Sequence, residues 1–412
     1  YLDDSEDLAG AAVNRRPRIR PMQICTKGKR RNGGKLWMDR RCVLPPQVRK
    51  RRRDSGKNNA RPGGHNIVIR AAQAYALGDP SALENPSAPM TVSVVIPTYN
   101  VALCIERAIR SALDQSHQPA EVIVVDDGST DSTCDVVSRL SREDGRIKLL
   151  RQSVNRGPAA ARNVGLKSAA GDWIAILDAD DAFLPDRLRY LVAAGERRDL
   201  AFAADNVIYY DAAAQRVSRL GIEPDRIGAC LDLDRYTFVR HCMMNQPGCI
   251  DFAGLKPIMR RSFLMSSGLL YPEDSRHGED FIFYFRAIMA GAKFALFPEP
   301  GYLYSERFGT ISRQQSDMSR TTVDYRLMER RALELASDPT VRKDPMLASL
   351  LVARAGRIRA LYRARELRAS LKSRNLLDLA VQFVRHADAR AFLTNVIRRK
   401  LVRRTPSSEV RP

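Results

Sequence analysis

The chain has 412 residues, 44% of them apolar, with a formal net charge of +21. That is enough length and apolar content for one large or two modest domains, which excludes a wholly disordered chain, and no run of about 18 apolar residues suggests an ordinary transmembrane helix. The charge taken whole points to nucleic acid or an anionic membrane surface, but residues 1–89 carry +11 and 342–404 carry +13, leaving 90–341 near −3. The basicity therefore belongs to the two ends. Seven cysteines with no C-x-x-C pair signal neither a disulfide framework nor a zinc ribbon, and predict a reduced, cytoplasmic compartment.

Residues 1–89 mix basic runs such as RKRRRD with no sustained period of 2 or 3.6, a composition that favours disorder. They read as an extension upstream of Met90, the expected natural start, or alternatively as a basic arm for nucleic acid or lipid that lacks interleaved aromatics. From Thr91, VSVVIPTYN is a short apolar run predicted to be a buried strand ended by Pro97. Ile105, Ala108, Ile109 and Ala112 recur at helical spacing. A strand at 121–125, an acid-rich turn at 126–131 and a second helix repeat the unit. A strand at Ile147–Arg151, a helix from Pro158 to Ala169 and a strand at Trp173–Leu177 follow. Strands alternating with helices predict an α/β fold with a mostly parallel sheet, in which ligands bind outside the carboxyl ends of the strands.

That rule lines up Tyr99 and Asn100, Asp126 and Asp127, and Asp178 and Asp180 along one edge. Asp178, Asp180 and Asp181 are close enough in sequence to repel one another unless a cation compensates. A hard divalent ion, Mg²⁺ or Mn²⁺, holding a diphosphate is the expected cation. Further along, Phe281, Tyr284, Phe285 and Ile288 mark an apolar helix face. The helix opens at Glu279 and Asp280, where a carboxylate suits the positive helix end or serves as an N-cap. His277 is expected to be an exposed loop histidine, since no second histidine stands at ligand spacing. Arg307 reads either as a surface arginine or as one facing a phosphate or an acceptor.

Taken together, VSVVIPTYN, EVIVVDDGSTDST, NRGPAAARN, ILDADD and GEDFIFYFRAIMAGAKFALFPEPGYLY resemble the family 2 glycosyltransferases of the GT-A fold, and among them bacterial exopolysaccharide enzymes of the succinoglycan type. The resemblance covers about Met90 to Ser316. It implies a Rossmann-like GT-A domain over 90–320, with a nucleotide-sugar half at 90–200 and an acceptor half at 201–320, followed by a basic helical extension at 321–412. It also implies metal-dependent transfer of a hexose from a nucleotide sugar, a UDP-sugar above all, to a growing glycan, lipid-linked or free.

Position by position, the resemblance puts Asp127, with Asp126 beside it, on the uracil or ribose, and Pro97 and Tyr99 against the base. Asp180 would ligate the metal, with Asp178 on ribose, metal or metal-bound water. Asp280 would be the general base, assisted by Glu279. Gly157 would allow close backbone approach, and Arg156 or Arg162 would partner donor phosphates or Asp178. One base and no covalent nucleophile imply inversion, and a metal would stabilise the leaving diphosphate. A sugar-phosphate nucleotidyltransferase is the rival enzyme, but it calls for a Gly-rich phosphate loop where this chain has PTYNVALC. A nucleic-acid-binding protein is suggested by the charge alone, and no specific nucleic acid is expected as a partner.

In the tail, Leu347, Leu351, Ile358 and Tyr362 fall near one helical face, Arg357, Arg359, Arg363 and Arg368 lie outside it, and Arg354 and Arg365 intrude. A second helical piece, 376–404, ends in a basic cluster. Two readings stay open. The helices lie on the anionic cytosolic leaflet, each near-surface Lys or Arg contributing about 1 kcal/mol, or they pack on the body and turn their arginines to water.

Overall fold

Runs of residues that are apolar without alternation set the middle of the sheet, as expected for strands covered on both faces. In the computed structural model, which describes residues 90–211, 216–243, 250–275, 277–306 and 323–373, every residue of β1 (Val92–Thr98), β2 (Glu121–Asp126) and β4 (Trp173–Ile176) is buried. Residues 1–89, Arg307 and the 376–404 segment lie outside the described residues. Helices α1 (Ile105–Leu113), α2 (Thr133–Glu143) and α3 (Pro158–Ser168) connect β1, β2, β3 (Ile147–Arg151) and β4 in the alternation read from the sequence. Ile105, Ala108, Ile109 and Ala112 are all buried.

The chain then adds β5 (Ala182–Phe183), α4 (Arg187–Arg197), β6 (Phe202–Asp211), β7 (Arg216–Leu220), β8 (Leu231–Asp232) and α5 (Arg235–His241). After these come β9 (Ile258–Arg260), α6 (Arg261–Ser267), α7 (Glu279–Met289) and β10 (Phe294–Glu306). Among the described residues the sheet has ten strands, in the order β3-β2-β1-β4-β9-β6-β10-β5, with β7 on β6 and β8 on β10. Pairings within β3-β2-β1-β4 and between β6 and β10 are parallel. Between β4 and β6 lies the short antiparallel β9. The mostly parallel α/β sheet flanked by helices is as expected. A consequence of that insertion is that β9 begins beside the end of β4, with Ile258 opposite Ala175.

One boundary differs. The first strand does not stop at Pro97: it continues to Thr98, with Pro97 opposite Val125. The ladder with β4 has already ended at Val95, so Pro97 has a strand on one side alone and its missing N–H is tolerated. Helix α7 also differs from a one-faced amphipathic helix. Phe281, Ile282, Phe283, Tyr284, Phe285 and Ala287 are all buried, because the helix is also covered by α5, where Phe238 stacks on Phe281, by the 252–255 turn, whose Leu255 carbonyl accepts from the Tyr284 hydroxyl, and by Arg354 over Phe281.

The C-terminal helices are α8 (Tyr325–Ser337), α9 (Pro339–Arg342) and α10 (Pro345–Lys372), each started by an aspartate whose carboxylate accepts a backbone N–H: Asp324 from Leu327, Asp338 from Thr340 and Asp344 from Leu347. Leu347 and Leu351 enter the main core, while Ala355 and Ile358 pack against α8. Arg354, which broke the apolar pattern, is buried with its guanidinium 3.8 Å from the centre of the Phe281 ring and 3.5 Å from Asp251. Arg357 and Arg365 are exposed. For α10 the structure thus matches packing on the body. The turn before α7 also leans on this hairpin, since Arg331 pairs with Asp274 and Met328 lies against Gly278. Among the described residues no helix is long and apolar enough to cross a membrane, and Cys104, Cys134, Cys230 and Cys242 are free thiols.

Helix α3 approaches β1 closely at Gly165, where an added Cβ would stand 2.2 Å from Val95 Cγ1. Gly165→Ala is therefore expected to cost about 1–3 kcal/mol by overpacking. Gly356→Ala, in α10 with nothing within 4 Å, is expected to gain up to about 1 kcal/mol of helix propensity. Paired denaturant unfolding curves check the difference in sign.

Candidate functional site

Three loops at the carboxyl edge of the sheet are fastened to one another by backbone hydrogen bonds. Asp127 accepts from Arg156 N at 2.8 Å, Gly157 N at 2.7 Å and the Gln152 side chain at 3.0 Å, so it anchors the loop that leads into α3. Gly157 is the N-cap of α3 at φ +94°, a conformation that favours glycine. Asp126 accepts from Ser129 N at 3.1 Å. Asn100, itself at φ +51°, accepts from Thr130 N at 2.8 Å, so the loops after β1 and β2 form one unit. Pro97 is buried within β1 and Tyr99 is half-buried just beyond it. The residues assigned to a nucleotide thus lie on adjoining loops, and the observed contacts of Asp127 are to backbone and to Gln152.

Helix α3 carries the connection onward. Arg162 stands five residues after Gly157, roughly 7.5 Å along the helix axis, and is buried. Its guanidinium lies 3.1 Å from Asp178 Oδ1, 2.7 Å from Glu279 Oε1 and 3.5 Å from Asp280 Oδ1. The pairing of Arg162 with Asp178 is one of the two partnerships expected for it. Arg156 instead turns outward to Glu273 at 2.6 Å.

A second buried cation, Lys256, comes from the loop just before β9. Its Nζ is 3.1 Å from Asp178 Oδ2 and 3.0 Å from Asp280 Oδ2. Carboxylates from the end of β4 and the start of α7 therefore meet at one ammonium. Asp280 is not the helix cap; that position is Gly278, at φ +79°. His277 is half-buried in the turn before it.

Electrostatics follow from burial and charge together. Burial alone would raise the Asp178 carboxyl, but Lys256 and Arg162 overcome it and hold Asp178 well below the ordinary range. Burial would likewise lower Lys256 and Arg162, and the surrounding carboxylates push both upward. Glu279 is raised by its burial and by neighbouring Asp280, against the pull of Arg162. Asp181 is a different case. It points into the core, where it accepts from the Tyr302 hydroxyl and Ser305 N, each at 2.8 Å, and burial with nearby Asp178 raises it to about 7.

The acidic run after β4 therefore splits three ways. Asp178 faces two protein cations, Asp181 is hydrogen-bonded inside, and Asp180 is half-buried between them with its carbonyl accepting from Arg107. Opposite Asp178, Arg162 and Lys256 supply positive charge from the protein itself.

Reading the sequence missed Lys256, Tyr302 and the support beneath them. Arg187 is fully buried, pairs with Asp205 at 2.8 Å, donates to the Lys256 carbonyl, and lies over the Phe183 and Tyr302 rings at 4.4 and 5.2 Å. Tyr302 also accepts from Asp178 N at 3.1 Å. The one available signal was a lysine set between apolar residues and Pro257 in DFAGLKPIM.

Residues 93–262 match the family model described as glycosyl transferase family 2. The succinoglycan biosynthesis protein ExoO of Rhizobium meliloti (strain 1021) is 37% identical over 224 residues, covering 54% of this chain and 62% of that protein. ExoU of the same organism is 38% identical over 234 residues, covering 55% and 65%. The chain thus spans somewhat under two thirds of these curated relatives. Among solved structures, S. aureus TarS 1-349 in complex with UDP-GlcNAc aligns with a TM-score of 0.50 at 24% identity, over 64% of this chain and 72% of that one, a likeness of fold. The sheet, the ordered motifs and these relatives thus agree with the glycosyl transferase family 2 match of residues 93–262.

Proposed function

We propose that this chain is a metal-dependent, inverting glycosyltransferase that moves a hexose from a UDP-sugar onto a growing bacterial exopolysaccharide. The observation that carries the reading is the meeting of Asp178 and Asp280 at the Lys256 ammonium. It sets a donor-side carboxylate and a candidate base on either side of one point. The adjoining loops with Pro97, Tyr99, Asp126, Asp127 and Gly157 support a nucleotide at the neighbouring part of the edge, and the two succinoglycan biosynthesis relatives support an exopolysaccharide as the destination.

A divalent ion fits an all-oxygen donor set at Asp180. Asp178 has its two oxygens toward Arg162 and Lys256, so the ion is assigned to Asp180, with Asp178 left to the ribose or to ion-bound water. Among the described residues no group of three or more His, Cys, Asp or Glu is arranged to hold an ion. Mg²⁺ or Mn²⁺ would accordingly share Asp180 with donor diphosphate oxygens and water. When bound, the ion supplies charge stabilisation to the departing diphosphate. Asp280 takes the proton of the attacking hydroxyl, and Glu279, through its bond to Arg162, keeps that guanidinium aligned between Asp178 and Asp280. A single carboxylate base delivers the acceptor from the face opposite the leaving group, hence inversion.

The exposed Arg357 and Arg365 on α10, with the basic 376–404 segment beyond it, support retention of a cytoplasmic enzyme on the cytosolic face of the inner membrane, near a lipid-linked acceptor.

In a panel of UDP-, GDP- and TDP-sugars with Mn²⁺ or Mg²⁺, one UDP-sugar is expected to release UDP, and chelation or Asp180→Ala should abolish release. Pyrophosphate exchange in place of UDP release would reject the reading. Asp280→Asn is expected to lower kcat by about 10²–10⁴-fold while donor binding persists, and NMR of the product should give an anomeric configuration opposite to the donor's. Flotation with anionic liposomes, but not zwitterionic ones, is expected at low salt and lost as salt screens the contact.

A further inference from the structure

Lys256 lies within the matched residues 93–262 but in none of the motifs that carry the resemblance, yet it stands between Asp178 and Asp280. A buried ammonium is tolerated when paired, and one carboxylate would suffice for that. Lys256 instead holds two carboxylates from separate elements, Asp178 at 3.1 Å and Asp280 at 3.0 Å, with its own side chain 5% exposed. Its backbone is fixed from below, because its carbonyl accepts from Arg187, which is locked to Asp205, and Pro257 follows it. On Asp280 the two oxygens differ. Oδ2 is bonded to Lys256, whereas Oδ1 is buried with no hydrogen-bond partner, 3.5 Å from Arg162.

Resting on the glycosyl-transfer reading, we infer that Lys256 is a positioning residue that grips Oδ2 of Asp280 and sets its distance from Asp178, while Arg162 faces Oδ1. The ammonium is a compact point charge on a residue whose backbone is held by Arg187, so it fixes where the carboxylate stands without itself exchanging a proton. A misplacement of about 1 Å in such a group can cost about 10²-fold in rate.

The test uses the full chain with Mn²⁺ and the UDP-sugar it turns over, reading UDP release. Lys256→Met is expected to lower kcat by about 10²-fold with donor KM nearly unchanged, and Lys256→Arg, which keeps the charge and guards against a folding failure, to recover part of the loss. In an Asp280→Asn background Lys256→Met should add nothing further, since both act through one carboxylate. Independent, multiplicative losses would overturn the inference. So would a loss confined to donor KM, which would make Lys256 a donor contact instead. A wild-type chain silent with every donor would count against the glycosyl-transfer reading alone. Crystal structures of the Lys256→Met and Lys256→Arg variants then decide the positioning claim: Asp280 displaced by about 1 Å in at least one supports it, and Asp280 unmoved in both rejects it.

Discussion

Two buried cations shared among three carboxylates are the interaction on which the rest of this site depends. Arg162 comes from α3, Lys256 from the approach to β9, Asp178 from the end of β4, and Glu279 and Asp280 from the start of α7. Removing any of these charges from water is costly, and the cost is recovered when the partners stand at hydrogen-bonding distance. The network therefore exists when all four segments are in register, and it penalises any arrangement in which one is displaced. Burial and neighbouring Asp280 raise Glu279, against the pull of Arg162.

The sheet makes that meeting possible. Parallel strands deliver their carboxyl ends to one edge, which accounts for Asp126, Asp127, Asp178 and Asp180. The antiparallel β9 delivers its beginning there instead. Below it, Arg187 ties Asp205, the Lys256 carbonyl, Phe183 and Tyr302 into one support, and Tyr302 in turn holds Asp181 and the backbone of Asp178. The charged floor and the strand order are thus one construction.

Much of this was legible in the sequence because β1, β2 and β4 are buried on both faces and α1 is strongly periodic, so local pattern and final structure coincide. The acids after β2 and β4 were legible because clustered carboxylates call for an explanation. Pro97 misled because a proline usually ends a strand, whereas its tolerance here depends on where the β4 ladder stops, a fact carried by a segment some eighty residues away. Lys256 and Arg187 left no periodic trace, since their roles arise from long-range pairing of a three-residue strand. Asp181 was read with its neighbours as part of one acidic rim, and no local feature distinguishes a carboxylate that points inward toward a tyrosine from one that points out. In the tail, Arg354 disturbed the apolar stripe for a definite reason: it stacks on Phe281.

The turn that carries Gly278 into α7 leans on Met328 and, through Asp274, on Arg331. The setting of Glu279 and Asp280 at the start of α7 is therefore backed by residues of α8, beyond the family match at 93–262. Relatives whose tails diverge are then free to retune the same motifs from behind, altering how firmly that turn is backed without changing a residue that touches substrate.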